Sequence, residues 1–179
     1  MKPSIISILT FASLASISQL TLAAGGMISF AGSVTGQTCT INGNGSGSKD
    51  FTVSLPTVLT TQLAAAGNTA GQMPFSIDLT DCMPSAGKVH AFFEPGPTVS
   101  LASGRLMVSG GAGNVEIGLL NSDRSVIRIG AQEAAQNAKP VAIDAKGRAN
   151  LPFYAQYVAT GRATSGTANS SVLYTLVYQ

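Results

Sequence analysis

Phe75-Ser76-Ile77-Asp78-Leu79-Thr80-Asp81-Cys82 alternates apolar with polar residues up to Leu79-Thr80 and runs into a cysteine. A period of two puts Phe75, Ile77 and Leu79 on one side of an extended chain, with Ser76, Asp78 and Thr80 on the other. That is the pattern of a strand with one buried face. Outward from this stretch the alternation recurs in Phe51, Val53 and Leu55; in Val89, Ala91 and Phe93; and in Val115, Ile117 and Leu119. It returns in Leu151, Phe153, Ala155 and Tyr157, and finally in Val172, Tyr174, Leu176 and Tyr178. Between the runs lie Asn42-Gly43-Asn44-Gly45-Ser46-Gly47, Pro95-Gly96-Pro97, Gly110-Gly111-Ala112-Gly113 and Ala145-Lys146-Gly147, all rich in turn-forming residues. Short strands punctuated in this way predict an antiparallel β-sandwich. Residues 61–66 and 131–137 could each supply a helical turn or two.

Composition narrows the function. The 179 residues suit one domain, and 45% hydrophobic content is enough for one core. Ten Lys plus Arg stand against eight Asp plus Glu, and only 10% of residues are charged. An electrostatic nucleic-acid binder would need clustered basic residues. One His and two Cys cannot assemble a four-ligand Cys/His zinc site, so no metal and no cofactor is expected. No Gly-x-Ser-x-Gly elbow or P-loop occurs. His90, the lone imidazole, alternates opposite Val89 and Ala91 and reads as a surface or partly packed side chain, so no enzymatic activity is expected.

Residues 1–23 carry Lys2, an apolar run broken by several Ser and Thr, and a small-residue exit at Ala23. This is the layout of a cleavable secretory signal, with Ala24 as the first mature residue. Export takes Cys39 and Cys82 together into an oxidising compartment, where a single structural disulfide is the expected outcome.

Two segments fit poorly into a self-contained sandwich. Ahead of Cys39, residues 25–34 place Gly26, Ile28, Phe30, Gly32 and Val34 on one face of a free arm. At the other end the last strand stops at Tyr178-Gln179, which predicts a long unpaired edge able to accept another strand.

The Gly-Gly-x-Ile-x-Phe-x-Gly-x-Val arm, the Leu79-Thr80-Asp81-Cys82 strand end, the Phe153-Tyr154-Ala155-Gln156-Tyr157-Val158-Ala159-Thr160-Gly161 block and the penultimate Tyr178 resemble, in that order, subunits of chaperone-usher pili of the type 1-like major pilin family. The resemblance implies an incomplete immunoglobulin-like sandwich that lacks its final strand. It divides the chain into a signal peptide (1–23), an N-terminal donor-strand extension (24–36) and a pilin domain (37–179). It implies that Gly26, Ile28, Phe30, Gly32 and Val34 fill the groove of a neighbouring subunit. Tyr174, Leu176, Tyr178 and Gln179 then form the groove-side, chaperone-facing strand. The implied partners are identical or related pilins, a periplasmic chaperone and an outer-membrane usher, with passage through the periplasm to a surface fimbria that supports adhesion. A minor adaptor or terminator, or an adhesive tip binding a receptor glycan, is the alternative; the single domain and the arm favour a shaft subunit.

Overall fold

The computed structural model describes Ser29, Gly36 and residues 38–179. Ten strands run in order: β1 (Thr38–Gly43), β2 (Thr69–Met83), β3 (Lys88–Phe93), β4 (Val99–Ser100), β5 (Arg105–Met107), β6 (Val115–Asn121), β7 (Val126–Ile127), β8 (Val141–Ala142), β9 (Ala149–Ala159) and β10 (Tyr174–Tyr178). They form two sheets: a seven-stranded one in the order β1-β2-β9-β6-β5-β4, with β7 also on β6, and a three-stranded one ordered β10-β3-β8. Every pairing between these strands is antiparallel.

The alternating residues meet as the period of two requires. Ile77 of β2 lies opposite Leu151 of β9, and Phe75 lies opposite Phe153. On the far side of β9, Leu119 of β6 faces Ala155. The three-stranded sheet contributes Val89, Ala91 and Phe93, all buried. Phe153 joins the layers, with its ring 5.4 Å from Phe75 and 5.5 Å from Phe93, the latter edge-on. Full burial of each large side chain contributes about 1.5 to 3 kcal/mol. The Cys39–Cys82 disulfide ties β1 to β2 at the margin of the large sheet.

Among the described residues, helix is limited to a single 3-10 turn, Thr60–Leu63, and to α1 (Glu133–Gln136), which overlap the two regions expected to hold such turns. Buried Gln136 acts as a substitute strand. Its Oε1 accepts from the Phe93 N–H at 2.7 Å and its Nε2 donates to the Phe93 carbonyl at 2.8 Å, completing the edge of β3 beyond the reach of two-residue β8.

Two expectations need correction. Phe51, Val53 and Leu55 were expected to lie on a strand, yet residues 51–59 belong to no ladder. They keep the alternation, with Phe51, Val53 and Leu55 half-buried and Thr52 and Ser54 exposed. The residue pattern records which side faces the core, whereas a strand also needs a hydrogen-bonded neighbour, and none is present among the described residues. His90 is not at the surface. It is only 6% exposed, and its Nε2 lies 3.3 Å from a Glu133 carboxylate oxygen, because the α1 segment covers the outer face of β3.

Candidate functional site

The unladdered segment and β10 face each other across an opening in the sandwich. Among the described residues β10 has one neighbour, β3, and hydrogen bonds fix which of its backbone groups are used. Gln179 and Lys88 exchange both N–H to carbonyl bonds, and Glu94 N–H donates to the Leu173 carbonyl. In an antiparallel pair such residues alternate. Residues 173, 175, 177 and 179 therefore turn their backbone groups toward β3, and Tyr174, Leu176 and Tyr178 turn theirs to the open edge. The opposite wall, residues 51–58, makes no hydrogen bond at all among the described residues. Among the described residues, the open edge of β10 and residues 51–58 thus hold backbone donors and acceptors with no hydrogen-bonded partner.

The space between them is apolar. A cavity of about 580 Å³ is walled by Phe51, Val53 and Leu55 on one side and by Val172, Tyr174, Leu176 and Tyr178 on the other. Its floor is the core itself, including Phe75, Ile77, Phe93, Ile117 and Leu119. A second cavity of about 650 Å³ continues it past Val58, Leu63, Val115 and Tyr157. Both volumes are lined by Thr52, Val53, Leu55, Ile117 and Ser170, so they are two parts of one groove. Burial pushes the phenols of Tyr157, Tyr174 and Tyr178 above the ordinary tyrosine value, and the charge of Asp50 adds to the effect at Tyr174.

Local structure positions the walls. The loop between β1 and Phe51 folds back through Gly43 N–H to the Ser48 carbonyl, 2.7 Å, and Asn44 N–H to the Ser76 carbonyl, 2.8 Å. The Phe51 ring then sits directly over Gly43, where a β-carbon would fall inside the ring's contact distance. From there Phe51 touches Phe75 and Tyr174, with centroid separations of 6.1 and 6.2 Å. The Tyr174 hydroxyl donates to the Lys49 carbonyl at 2.8 Å.

The site residues named from sequence divide into three groups. Tyr174, Leu176 and Tyr178 line the groove together, while Gln179 pairs with Lys88 at the end of β10 and adds no groove surface. Cys39 and Cys82 are bonded to each other, away from the groove lining. Gly26, Ile28, Phe30, Gly32 and Val34 lie outside the described residues. Sequence reasoning did not anticipate that residues 51–58 would form the second wall, nor that Ile117 and Leu119 would lie beneath it. Pro56 beside the alternating run was the one available signal, since proline disfavours an interior strand.

A sandwich with two facing edges that lack a ladder partner among the described residues, separated by an apolar groove, is a fold one strand short of closure. The known proteins it resembles are fimbrial and pilus subunits. The family model for type-1 fimbrial protein A matches residues 55–179. The major fimbrial subunit SMF-1 of Stenotrophomonas maltophilia is 47% identical over 162 residues, covering 87% of this chain and 94% of the relative. The F17 fimbrial protein of Escherichia coli is 42% identical over 172 residues, covering 92% and 93%. The fold is shared with the crystal structure of the P pilus rod subunit PapA, at a TM-score of 0.56 and 23% identity over 86% of this chain and all of that one. The chain belongs to the type-1 fimbrial protein family and is a structural subunit of a cell-surface pilus.

Proposed function

We propose that the subunit polymerises by donor-strand exchange: the arm, residues 24–36, of one copy occupies the groove of the next. Gly26, Ile28, Phe30, Gly32 and Val34 are the positions on the groove-facing side. A periplasmic chaperone holds the groove until then, after export directed by residues 1–23, and an outer-membrane usher receives the subunit. The pilin domain begins at residue 37, and the completed fibre supports adhesion.

The observation that carries this reading is the pair of unpaired walls over an apolar floor. Strand addition to an exposed edge draws affinity from main-chain hydrogen bonds and specificity from alternate side chains. The open-edge backbone of Tyr174, Leu176 and Tyr178 offers the bonds, each worth about 0.5 to 1.5 kcal/mol net. Burial of Ile28, Phe30 and Val34 adds roughly 5 to 9 kcal/mol before ordering costs.

The test is deletion of residues 25–34. The truncated subunit keeps its own groove, so it should still co-purify with the chaperone, while fibres vanish from electron micrographs and the heat-stable ladder vanishes from gels. Normal fibres from this deletion would make the arm an ordinary strand of its own domain and end the proposal.

A further inference from the structure

The groove's two walls are not independent of each other. Tyr174 stands on β10, with its ring against Phe51 and its hydroxyl on the Lys49 carbonyl, so one side chain reaches from the edge of the small sheet to the loop anchored on β1. That loop is itself held by the Gly43–Ser48 and Asn44–Ser76 backbone bonds. Tyr174, Phe51 and Lys49 line the same cavity as Ile41, Val53, Leu55, Leu176 and Tyr178, so the connection is part of the groove's own lining. A strand laid along β10, pairing with the open-edge groups of Tyr174 and Leu176, must pass the place where Tyr174 reaches across.

We infer that Tyr174 is a positioning residue for strand capture: its hydroxyl bond to Lys49 straps the unfilled groove, and an incoming strand must release it. This rests on the donor-strand reading above. The strap gives the unfilled subunit a defined edge instead of two loose ones. It shields part of the apolar floor through the Phe51–Tyr174 contact, and it offers only one hydrogen bond of resistance. The bond is local to this chain's geometry, because it needs a tyrosine at the start of β10 and a carbonyl that the 43–50 loop brings within 2.8 Å.

Tyr174→Phe removes the hydroxyl and keeps the ring, so core packing and folding are preserved. The chain from residue 24, refolded without chaperone, would be mixed with excess fluorescent peptide of the sequence of residues 25–34, and capture followed by anisotropy. Tyr174→Phe should capture the peptide about 2- to 12-fold faster than the parent, the range that loss of one net hydrogen bond allows. The thermal midpoint of the peptide-filled subunit should be unchanged, because the bond is already broken in that state. A capture rate equal to or below the parent's overturns the strap while leaving donor-strand exchange standing, as does a lowered midpoint of the filled form. Failure of both proteins to take up peptide overturns the strap and the donor-strand reading together.

Discussion

On its closed side the sandwich is finished. β9 lies between β2 and β6, and Ile77 and Leu151 face one another across a ladder and are almost wholly removed from solvent. On the open side the same kinds of residue stop halfway: Leu176 has a comparable place in β10, but β10 has one neighbour, and Leu176, Val53 and Leu55 remain half-buried. The two regions share their alternation and their residue types. What differs is the supply of strands. Burial of an alternating face needs a neighbour on each side as well as a facing sheet, so the closed side buries its hydrophobic residues within the fold and the open side leaves them half-buried.

The largest test of that contrast is a pair of leucines. Leu151→Ala should cost about 2 to 5 kcal/mol, as truncation of a fully buried leucine does. Leu176→Ala should cost well under half as much in the unfilled subunit. Its cost should rise once the peptide of residues 25–34 is bound, because a partner strand would complete the burial. Urea denaturation of both variants, with and without peptide, makes the measurement, and equal costs for Leu176→Ala in both states would break the contrast.

The disulfide belongs to the closed side. It spans 43 residues, and opening a loop of that length removes about 4 kcal/mol of stabilisation by the chain-entropy relation. That is a large part of the usual 5 to 15 kcal/mol of a domain, so a Cys39→Ala, Cys82→Ala double variant should be marginally folded. Capture of the peptide by whatever fraction remains folded should keep its affinity, since the bridge lies away from the groove. A loss of affinity in that folded fraction would place the disulfide in the site's support.

Much of the closed side was legible from residue pattern. Phe75-Ile77-Leu79 and Leu151-Phe153-Ala155 alternate, bury one face and pair, because a central strand's pattern and its ladder agree. Phe51-Val53-Leu55 shows why the open side was harder to read. It carries the same signal, but alternation reports the direction of the core and is silent on whether a neighbour exists. Tyr174, Leu176 and Tyr178 could be placed on one face by parity. That they line one groove with residues more than a hundred positions earlier in the chain depends on long-range topology. His90 was harder to place for a related reason: its position on the outer face of β3 was evident, but the cover supplied by Glu133 comes from α1, some forty residues away.

Alkali should act on the open side first. Tyr157, Tyr174 and Tyr178 all have phenols raised by burial, so the folded state holds its protons at a pH where the unfolded chain loses them. Their contribution to stability is fully present below the ordinary tyrosine pKa of about 10 and falls as pH rises through the folded values. On the donor-strand reading a filled groove would bury the same phenols further. The peptide-filled subunit should therefore resist ionisation to higher pH than the unfilled one, as read by phenolate absorbance during an ultraviolet titration. Identical titration curves would mean that the bound strand does not cover these rings.

The smallest effect expected is on the outer face of the large sheet. Arg124 lies over the Tyr154 ring, 3.9 Å from its centroid, and Tyr154 stands on β9 between Pro74 and Leu120. An exposed contact of this kind contributes about 0.5 to 1 kcal/mol. Arg124 also has a positive φ of 67°, a backbone state that costs an L-residue roughly 1 to 2 kcal/mol and a glycine almost nothing. The two effects can be separated by choice of variant. Arg124→Ala loses the ring contact and keeps the backbone strain, so it should destabilise by about the full value of the contact. Arg124→Gly loses the contact and relieves the strain, so its net effect should lie between neutral and about 1.5 kcal/mol of stabilisation. Both values should be the same with the groove empty or filled, because the outer face of β9 is complete in either state. A dependence of Arg124→Ala on bound peptide would show that filling the groove is transmitted through the large sheet, and would end the separation of the molecule into a closed side and an open one.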